Sequence, residues 1–290
     1  MDFSNLISDL VRQRYSCRTH LQKQLSVESL QKLQEALNDR DIGPRSNQVR
    51  LKIISAETGD GRQLQGLGTY GFIKDPAGFI IGAVNDGPGA MEDFGYILET
   101  IILKATELGI GTCWLGGTFT KSRFSRIIGK KEGETIPAVI SIGYPANQKA
   151  WIDRASRVYA GADRRKSWDE IFFTGNFQTP LSKELAVGYR EPLELVRLAP
   201  SASNKQPWRV LFLDNQWHFY LQRTKNYPTP IFNRILDLAD LQLVDIGIAM
   251  SHFELSLRDL GLDGEWICAD PEIPQPNPEM EYTITWQPLS

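Results

Sequence analysis

An internal repeat constrains the fold of this chain more than any other feature of its sequence. Residues 93–115 align without gaps with residues 245–267, an offset of 152 positions. The aligned identities are Asp93 with Asp245, Gly95 with Gly247, Leu103 with Leu255, Leu108 with Leu260, Gly109 with Gly261 and Trp114 with Trp266. Similarity at a fixed offset is typical of a duplicated structural unit. We therefore predict that the chain contains two copies of one unit.

Two shorter matches extend the repeat on either side of this region. Ser46 and Asn47 correspond to Ser203 and Asn204, and each pair precedes an apolar strand. The segment 282–286 near the end of the chain can serve as the closing strand of the second copy. The repeat therefore extends beyond the aligned helix.

The predicted boundaries are residues 1–165 for the first copy and residues 166–290 for a second, divergent copy. Two such copies can pack about a pseudo-twofold axis, as the subunits of a homodimer do. An intrachain pseudo-dimer removes the usual reason for such a unit to associate with a further copy. We therefore expect a monomer rather than a homodimer.

The spacing of apolar residues predicts the elements of the first copy. Apolar positions three and four apart predict helices over residues 3–14 and 27–38, and alternation predicts a strand over residues 49–55. The helix predicted over residues 93–108 is apolar on more than one face, which is typical of a central buried helix. Helices and strands are therefore mixed along the chain.

Composition excludes several classes of function. A net charge of −3 over 290 residues gives no general attraction to nucleic acid or to anionic membranes. No apolar run approaches the roughly 20 residues that a membrane-spanning helix needs, and the first residues do not resemble a signal peptide. The three cysteines and three histidines have no metal-ligand or disulfide spacing. We expect a cytoplasmic globular protein without a metal, nucleic-acid or membrane partner.

The segment 198–209, with the sequence LAPSASNKQPWR, is a candidate ligand-binding loop. Pro200 and Pro207 prevent a regular helix across it. Ser201, Ser203 and Asn204 supply short polar groups and backbone amides that can approach a flat polar ligand. The residues alone leave a second interpretation equally open, a helix-to-strand connection in which the same side chains cap and turn the chain.

A second candidate site lies near the N-terminus, in the sequence RYSCR of residues 14–18. Arg14 and Arg18 share one face of a helix, and together with Ser16 they share one side of an extended segment. Either geometry can direct two guanidinium groups at one phosphate. The alternative is an ordinary solvated basic turn.

Two glycine-containing segments can approach a ligand closely through their backbones. One is the stretch 66–74, whose glycines fit neither a phosphate loop nor a dinucleotide fingerprint. The other is Leu115, Gly116 and Gly117, after the buried helix. A plain hairpin is the alternative for the first segment, because glycine-rich stretches are common in turns.

These motifs resemble those of the nitroreductase family, in its branch with a tandem, internally duplicated unit. The loop 198–209 resembles the family pattern A-P-S-x-x-N-x-Q-P-W, and residues 14–18 resemble its pattern R-x-S-x-R. The resemblance implies an α+β fold of the nitroreductase type, with two copies packed as an intrachain pseudo-dimer. It also implies FMN at the interface of the copies.

The resemblance implies a role for each matching residue. Arg14, Ser16 and Arg165 would bind the FMN phosphate, with Arg164 close to them, and Arg18 would reach the N1 and O2 edge of the flavin ring. The other implied contacts are Thr69, Gly71, Leu115, Gly116, Gly117, Pro200, Ser201, Ala202 and Asn204. The basic cluster 164–166 has an alternative interpretation, a solvated linker between the copies.

The implied activity is that of an FMN-dependent NAD(P)H oxidoreductase. Flavin N5 would be the reactive centre, so no catalytic side chain is implied, although Arg18 would tune the ring. NADH or NADPH would reduce the flavin, and a small nitroaromatic or quinone acceptor would reoxidise it by ping-pong kinetics. The alternative function is a flavin-binding or sensing protein with little turnover.

The motifs also predict how many flavins one chain holds. The first copy carries the motif of residues 14–18 and the glycine pair, whereas the second copy carries the complete loop 198–209. The opposite combination is missing, because the first-copy loop is shortened around Ser46 and Trp266 is not followed by a glycine pair. We therefore predict one FMN per chain and a vestigial second site.

Overall fold

The computed structural model describes residues 1–39, 42–55, 72–117, 119–146, 165–225 and 239–289. The helices in these ranges are α1 Ile7–Gln13, α2 Val27–Asn38, α3 Ala90–Glu107, α4 Lys121–Ile128, α5 Arg190–Leu198 and α6 Leu241–Asp259, with short 3₁₀ turns at Trp168–Glu170 and Ala202–Asn204. The strands are β1 Val49–Ser55, β2 Gly78–Asn85, β3 Gly111–Leu115, β4 Glu134–Thr135, β5 Val139–Gly143, β6 Phe172–Thr174, β7 Asn176–Pro180, β8 Trp208–Leu213, β9 Gln216–Gln222, β10 Gly264–Ile267 and β11 Met280–Pro288.

The strands form two separate sheets, one from each copy. The first-copy sheet has the order β1-β2-β5-β3, with β4 paired to β2. The second-copy sheet has the order β10-β11-β9-β8-β6-β7, in which only the β6 and β8 pair is parallel. In both copies the long helix leads to a strand that pairs with the closing strand, since β3 pairs with β5 and β10 with β11. The α+β class and the two tandem copies are thus confirmed.

The copies meet where helices α3 and α6 cross. A Cβ atom on Gly95 would overlap the carbonyl oxygen of Val244, and a Cβ atom on Gly247 would overlap that of Glu92. These two contacts are related by the repeat, because Gly95 aligns with Gly247 and Glu92 aligns with Val244 at the same offset. The identical glycines are therefore the points at which the two helices approach most closely about a pseudo-twofold axis.

Aspartates Asp93 and Asp245, which the repeat also aligns, hold the loop of their own copy. Asp93 accepts hydrogen bonds from the backbone N–H groups of Arg45 at 2.9 Å and Asn47 at 2.7 Å. Asp245 accepts one from the backbone N–H of Ala202 at 2.9 Å. Each long helix thus fixes the chain that enters the next strand of its own sheet.

The sequence-based elements agree with the structure in the first copy, with some shifts at their ends. The strand over residues 49–55 has the predicted bounds, and Ser26 caps α2 by accepting a hydrogen bond from the Ser29 N–H at 3.1 Å. Helix α1 begins at Ile7, later than predicted, and α3 begins at Ala90, earlier than predicted. Gly89 precedes α3 in the left-handed conformation, so the helix begins directly after this turn.

No helix in the described ranges is both long enough and apolar enough to cross a lipid bilayer.

The helix crossing leads to a stability prediction. Gly95→Ala would gain about 1 kcal/mol from helix propensity alone, but its methyl group would overlap the Val244 carbonyl oxygen. Since two backbones must separate to relieve the overlap, we expect the free energy of unfolding to fall by about 2 kcal/mol. Urea denaturation measures this change.

The sign of the change in unfolding free energy shows whether helix propensity or steric overlap dominates at Gly95. Gly247→Ala should behave in the same way, because its Cβ atom would overlap the Glu92 carbonyl oxygen. Val27→Ala, at an exposed position of α2, serves as the control and should change the free energy by less than about 0.5 kcal/mol. A stabilised Gly95→Ala variant would contradict the close crossing.

Candidate functional site

A cavity of about 280 Å³ lies between the two copies. Its lining residues come from the N-terminal segment, the β3 exit and the β5 entry of the first copy, and from the loop and α6 of the second copy. They are Ser16, Arg18, Cys113, Trp114, Gly116, Gly117, Ala138, Pro200, Ser201, Ala202, Ser203, Leu241, Val244, Asp245 and Ile248. The cavity thus combines the N-terminal motif, the glycine pair and the second-copy loop.

The segment 14–18 is extended, which decides between the two geometries that the sequence allows. Helix α1 ends at Gln13, and Ser16 forms a parallel bridge with Thr112 of β3. The N–H of Cys17 donates to the carbonyl oxygen of Thr112 at 2.8 Å. Ser16 and Arg18 are exposed and line the cavity, whereas Cys17 between them is buried. The alternation of an extended chain therefore directs both polar side chains to the cavity.

Arg14 occupies a different environment from Arg18. Its side chain is only 8% exposed, and its Nε lies 3.5 Å from Oε1 of the fully buried Glu99. Glu99 also accepts a hydrogen bond from Trp114 Nε1 at 2.8 Å and contacts His252 Nε2 at 3.1 Å. Burial alone would raise the pKa of Glu99, but His252, Arg14 and Trp114 outweigh it and hold that pKa below its usual range. The carboxylate form of Glu99 is thus stabilised by the groups around it.

Arg165 brings a second, partly exposed guanidinium close to Arg14, although neither arginine is among the residues that line the cavity. Its Nη1 donates to the carbonyl oxygen of Ala199, just after α5, at 2.6 Å. Burial, together with the positive charges of Arg14 and Arg197, lowers the pKa of Arg165 to about 10. Arg165 therefore remains charged at neutral pH, and its environment contains an excess of positive charge. Such an environment favours the binding of an anion.

The glycine pair follows directly on β3. Leu115, the last residue of β3, is buried in the first-copy core, whereas Gly116 and Gly117 line the cavity. A Cβ atom on Gly116 would lie 2.5 Å from Cδ1 of Leu241 on α6. A side chain at position 116 would therefore require the Leu241 side chain to shift.

The second-copy loop follows α5 and has an unusual backbone. Ser203, Asn204 and Gln206 have positive φ angles of 50°, 54° and 49°. The loop is stabilised by the Gln206 N–H, which donates to Ser201 Oγ at 2.9 Å, and by the bond from Ala202 to Asp245. Non-glycine residues rarely adopt these angles, and such conformations cluster at functional sites.

Most of the predicted loop residues lie at the cavity. Pro200, Ser201 and Ala202 line it, whereas Asn204 is exposed and is not among the lining residues. Ser203, a polar residue of the candidate loop to which the family resemblance assigned no contact, also lines the cavity. Four consecutive residues of this loop, 200–203, therefore lie beside the cavity.

The sequence analysis did not select several residues of the cavity wall. Leu241, Val244, Asp245 and Ile248 come from the first turns of α6, and Trp114 comes from β3. Asp245 is 3% exposed, its Oδ2 has no hydrogen-bond partner, and burial raises its pKa well above the usual range. The identity of Asp245 and Asp93 in the repeat was an available signal, but it did not indicate a cavity.

Three predicted contacts lie outside the described residues, namely Thr69, Gly71 and Arg164. Most of the glycine-rich stretch 66–74 lies outside them as well. Among the described residues, no group of three or more histidine, cysteine, aspartate or glutamate side chains is arranged to hold a metal ion.

Comparison with known proteins identifies the family. The model of the family described as "Putative TM nitroreductase" matches residues 6–257. The chain belongs to this nitroreductase family. The match covers most of both copies, and the family places the protein among the oxidoreductases.

Two solved structures resemble this nitroreductase. A "putative nitroreductase" from Thermotoga maritima aligns over 99% of this chain and 95% of its own length, with a TM-score of 0.59 and 18% identity. A nitroreductase with bound FMN from Bacteroides fragilis covers 49% of this chain and 90% of its own length, with a TM-score of 0.41 and 19% identity. The first likeness shows that the fold is shared over the whole chain.

One curated relative also resembles this nitroreductase in sequence. A "Putative NADH dehydrogenase/NAD(P)H nitroreductase" from Archaeoglobus fulgidus is 30% identical over 81 residues. The aligned region is 27% of this chain and 47% of that protein, so it spans about half of the relative's length.

The buried carboxylate of Glu99 leads to a second stability prediction. Glu99→Ala would leave the Arg14 charge uncompensated and remove the acceptor of Trp114 and His252. Removing one partner of a buried ion pair costs about 3–5 kcal/mol of unfolding free energy, and we expect a loss in this range. Thermal and urea denaturation both report it.

An exposed ion pair provides the comparison. Glu28 and Lys32 on α2 are 2.7 Å apart, with both side chains at least half exposed. Glu28→Ala should leave the free energy of unfolding nearly unchanged, because solvent screens an exposed ion pair. Equal effects of the two substitutions would show that the Glu99 cluster contributes no more than a surface pair.

Proposed function

We propose that this nitroreductase is an FMN-dependent NAD(P)H oxidoreductase that holds one FMN per chain between its two copies. The observation that supports this most directly is the composite cavity. Arg18 and Gly116 of the first copy line the same cavity as Ser201 of the second copy, although the three residues are widely separated in sequence. The motifs that resemble the two halves of a flavin site therefore lie together.

The residues around the cavity fit the two chemical parts of FMN. Arg14 and Arg165, which are not among the residues that line the cavity, provide positive charge for a phosphate. Gly116 and Gly117 present only backbone atoms, which suits close approach of a flat ring system. Apolar side chains of Leu241, and others on α6, complete the wall, as in most cofactor sites.

Bound FMN would supply the hydride and electron transfer chemistry of the reaction. The protein's own residues would bind and orient the cofactor. We propose that Arg18 stabilises negative charge on the ring from its position at the cavity. The loop of Pro200 and Ser201, held by Asp245, would set the position of the opposite wall.

The repeat relates this cavity to a second position on the other side of the pseudo-twofold axis, and different residues occur there. Leu241 and Val244 line the cavity, and at the offset of 152 they correspond to Gly89 and Glu92 of the first copy. A Cβ atom on Gly89 would overlap the side chain of Arg45, so Arg45 packs directly over this glycine. The Arg45 side chain therefore lies where a second flavin site, related to this cavity by the repeat, would have its apolar wall.

Arg45 is held in this position from both copies. Its N–H donates to Asp93, and its guanidinium donates to the carbonyl oxygen of Thr283 on β11 of the second copy. Its Nε is also buried. These contacts support the proposal of a single flavin per chain, because a ligand in the related location would have to displace Arg45.

We propose NADH or NADPH as the electron donor and a small nitroaromatic or quinone as the acceptor, in a ping-pong sequence. The family supports an oxidoreductase. In the proposed single open site, donor and acceptor would bind one after the other at the same place, which favours ping-pong kinetics. Because both halves of the site belong to one chain, we propose that the monomer is the functional unit.

The cofactor proposal predicts both a stoichiometry and a sensitive residue. Flavin released by denaturation should be FMN at one molecule per chain. Arg18→Ala should weaken FMN binding about tenfold or more, because a hydrogen bond to a charged group contributes about 1.5–3 kcal/mol. Fluorescence titration of the apoprotein with FMN measures the dissociation constant.

Arg190 offers a matched control for this substitution. It is an exposed arginine at the start of α5 and does not line the cavity. Arg190→Ala should leave the FMN dissociation constant unchanged within about twofold. Two FMN molecules per chain, or equal effects of the two substitutions, would argue against the composite site.

Turnover separates an oxidoreductase from a flavin-binding protein. Anaerobic NADH or NADPH should bleach the flavin absorbance, and a quinone or nitroaromatic should restore it. Initial rates at several acceptor concentrations should give parallel double-reciprocal lines, as ping-pong kinetics require. Bound FMN that stays oxidised with both donors would favour the binding protein instead.

A further inference from the structure

Glu99 lies at the centre of the interface between the copies and joins three of its parts. It is 0% exposed. Its carboxylate is surrounded by Arg14 Nε at 3.5 Å, Trp114 Nε1 at 2.8 Å and His252 Nε2 at 3.1 Å. Arg14 belongs to the N-terminal motif, Trp114 lines the cavity, and His252 belongs to the second copy. A single side chain therefore contacts the cavity wall and a candidate phosphate ligand.

The orientation of Arg14 relative to Glu99 leaves its outer nitrogens available. The guanidinium approaches the carboxylate with Nε 3.5 Å from Oε1, and this Nε forms no hydrogen bond within the described part of the chain. Among the described residues, no hydrogen bond is formed by either Nη atom of Arg14. Arginine binds phosphate best through a fixed fork of N–H groups. Glu99 therefore lies beside the inner edge of the guanidinium, and within the described residues no acceptor occupies its outer edge.

His252 connects Glu99 to the helix that carries the second-copy loop. Its Nδ1 lies 2.9 Å from the carbonyl oxygen of Leu195 on α5. A carbonyl oxygen only accepts, so Nδ1 donates there, and Nε2 on the other side of the ring faces Oε1 of Glu99. Helix α5 ends at Leu198, directly before Ala199, whose carbonyl oxygen accepts from Arg165. The C-terminal end of α5 is thereby linked to Arg165 directly and to Arg14 through His252 and Glu99.

The repeat shows that this arrangement is confined to one side of the pseudo-dimer. At the offset of 152, Glu99 corresponds to Ser251 and Thr100 corresponds to His252. Thr100 Oγ1 donates to the carbonyl oxygen of Tyr96 within its own helix, and Ser251 Oγ is buried without a partner. Within the described residues, the contact between Glu99 and His252 thus has no counterpart across the axis. It occurs on the side that contains Arg14.

We propose that Glu99 is a positioning residue for phosphate recognition, which orients Arg14 toward the phosphate of the bound cofactor and links it to the second copy through His252. This inference rests on the proposed FMN site. It assigns Glu99 no contact with the cofactor itself. Its effect should therefore depend on the presence of a phosphate group in the ligand.

Riboflavin provides the test, because it has the ring and the ribityl chain of FMN but no phosphate. Glu99→Gln keeps the shape of the side chain and one acceptor oxygen, but it removes the charge that holds Arg14. We expect the FMN dissociation constant to rise about tenfold and that of riboflavin to change by less than about twofold. Titrations of apoprotein by flavin fluorescence measure both constants, and circular dichroism confirms that the variant is folded.

Glu254→Gln is a matched control on the opposite helix. Glu254 accepts from Trp266 Nε1 at 2.6 Å and pairs with Arg258 at 2.6 Å. Trp266 is the repeat counterpart of Trp114, so the two carboxylates have similar donors. Glu254 contacts neither Arg14 nor Arg165 among its described interactions. Glu254→Gln should leave the ratio of the FMN and riboflavin constants unchanged.

A double-mutant cycle shows whether Glu99 acts through Arg14. Arg14→Ala should raise the FMN constant by itself, and Glu99→Gln should then add less than about a twofold change. Additive effects would overturn the positioning role, because the two residues would then act independently. The Arg14 variants also keep the test available if Glu99→Gln folds poorly.

The outcomes distinguish this inference from the proposed function. Equal weakening of FMN and riboflavin in Glu99→Gln, or tighter FMN binding, would overturn the positioning role while leaving the FMN site in place. If the unsubstituted protein binds neither flavin, the proposed function fails and the inference fails with it. A selective loss of FMN affinity in Glu99→Gln and not in Glu254→Gln would support both.

Discussion

The close crossing of α3 and α6 is the constraint on which the remaining structure depends. Two helices can approach this closely only because Gly95 and Gly247 have no side chains at the crossing. Their approach brings Leu241 against the backbone of Gly116, and so places the start of α6 in the wall of the cavity. The functional site is thus a consequence of helix packing as much as of its own motifs.

The repeat and the local motifs predict the fold class, the two copies and several elements, because these depend on residues close together in sequence. Strand β1 and the Ser26 cap are examples. The contacts of Glu99 with His252 could not be predicted, since they join residues 153 positions apart through an interface with no sequence pattern of its own. The packing of Arg45 could not be predicted either, because its side chain fits over Gly89 only since that residue has no Cβ atom. The extended geometry of residues 14–18 was one of two open possibilities, and pairing with β3 decided it.

Charge is distributed unevenly in a chain that is acidic overall. A net charge of −3 coexists with a local concentration of arginines beside the end of α5. Desolvation and mutual repulsion make this concentration costly, and Glu99 and Glu194, which lie against Arg14 and Arg197, offset only part of it. An anion bound there would relieve the remaining repulsion. Ligand binding and folding stability are then thermodynamically linked, so the loaded protein resists unfolding more than the apoprotein does.

The covalent connection between the copies has a consequence for how the site responds to dilution. In a dimer of separate subunits, a ligand shared across the interface is lost when the subunits dissociate at low concentration. Here Arg18 and Ser201 belong to one chain, so their encounter is intramolecular and has a fixed effective concentration. The two halves are also free to change independently. A residue such as Arg45 can fill one side without altering the other, which is impossible when both sides are encoded by the same residues.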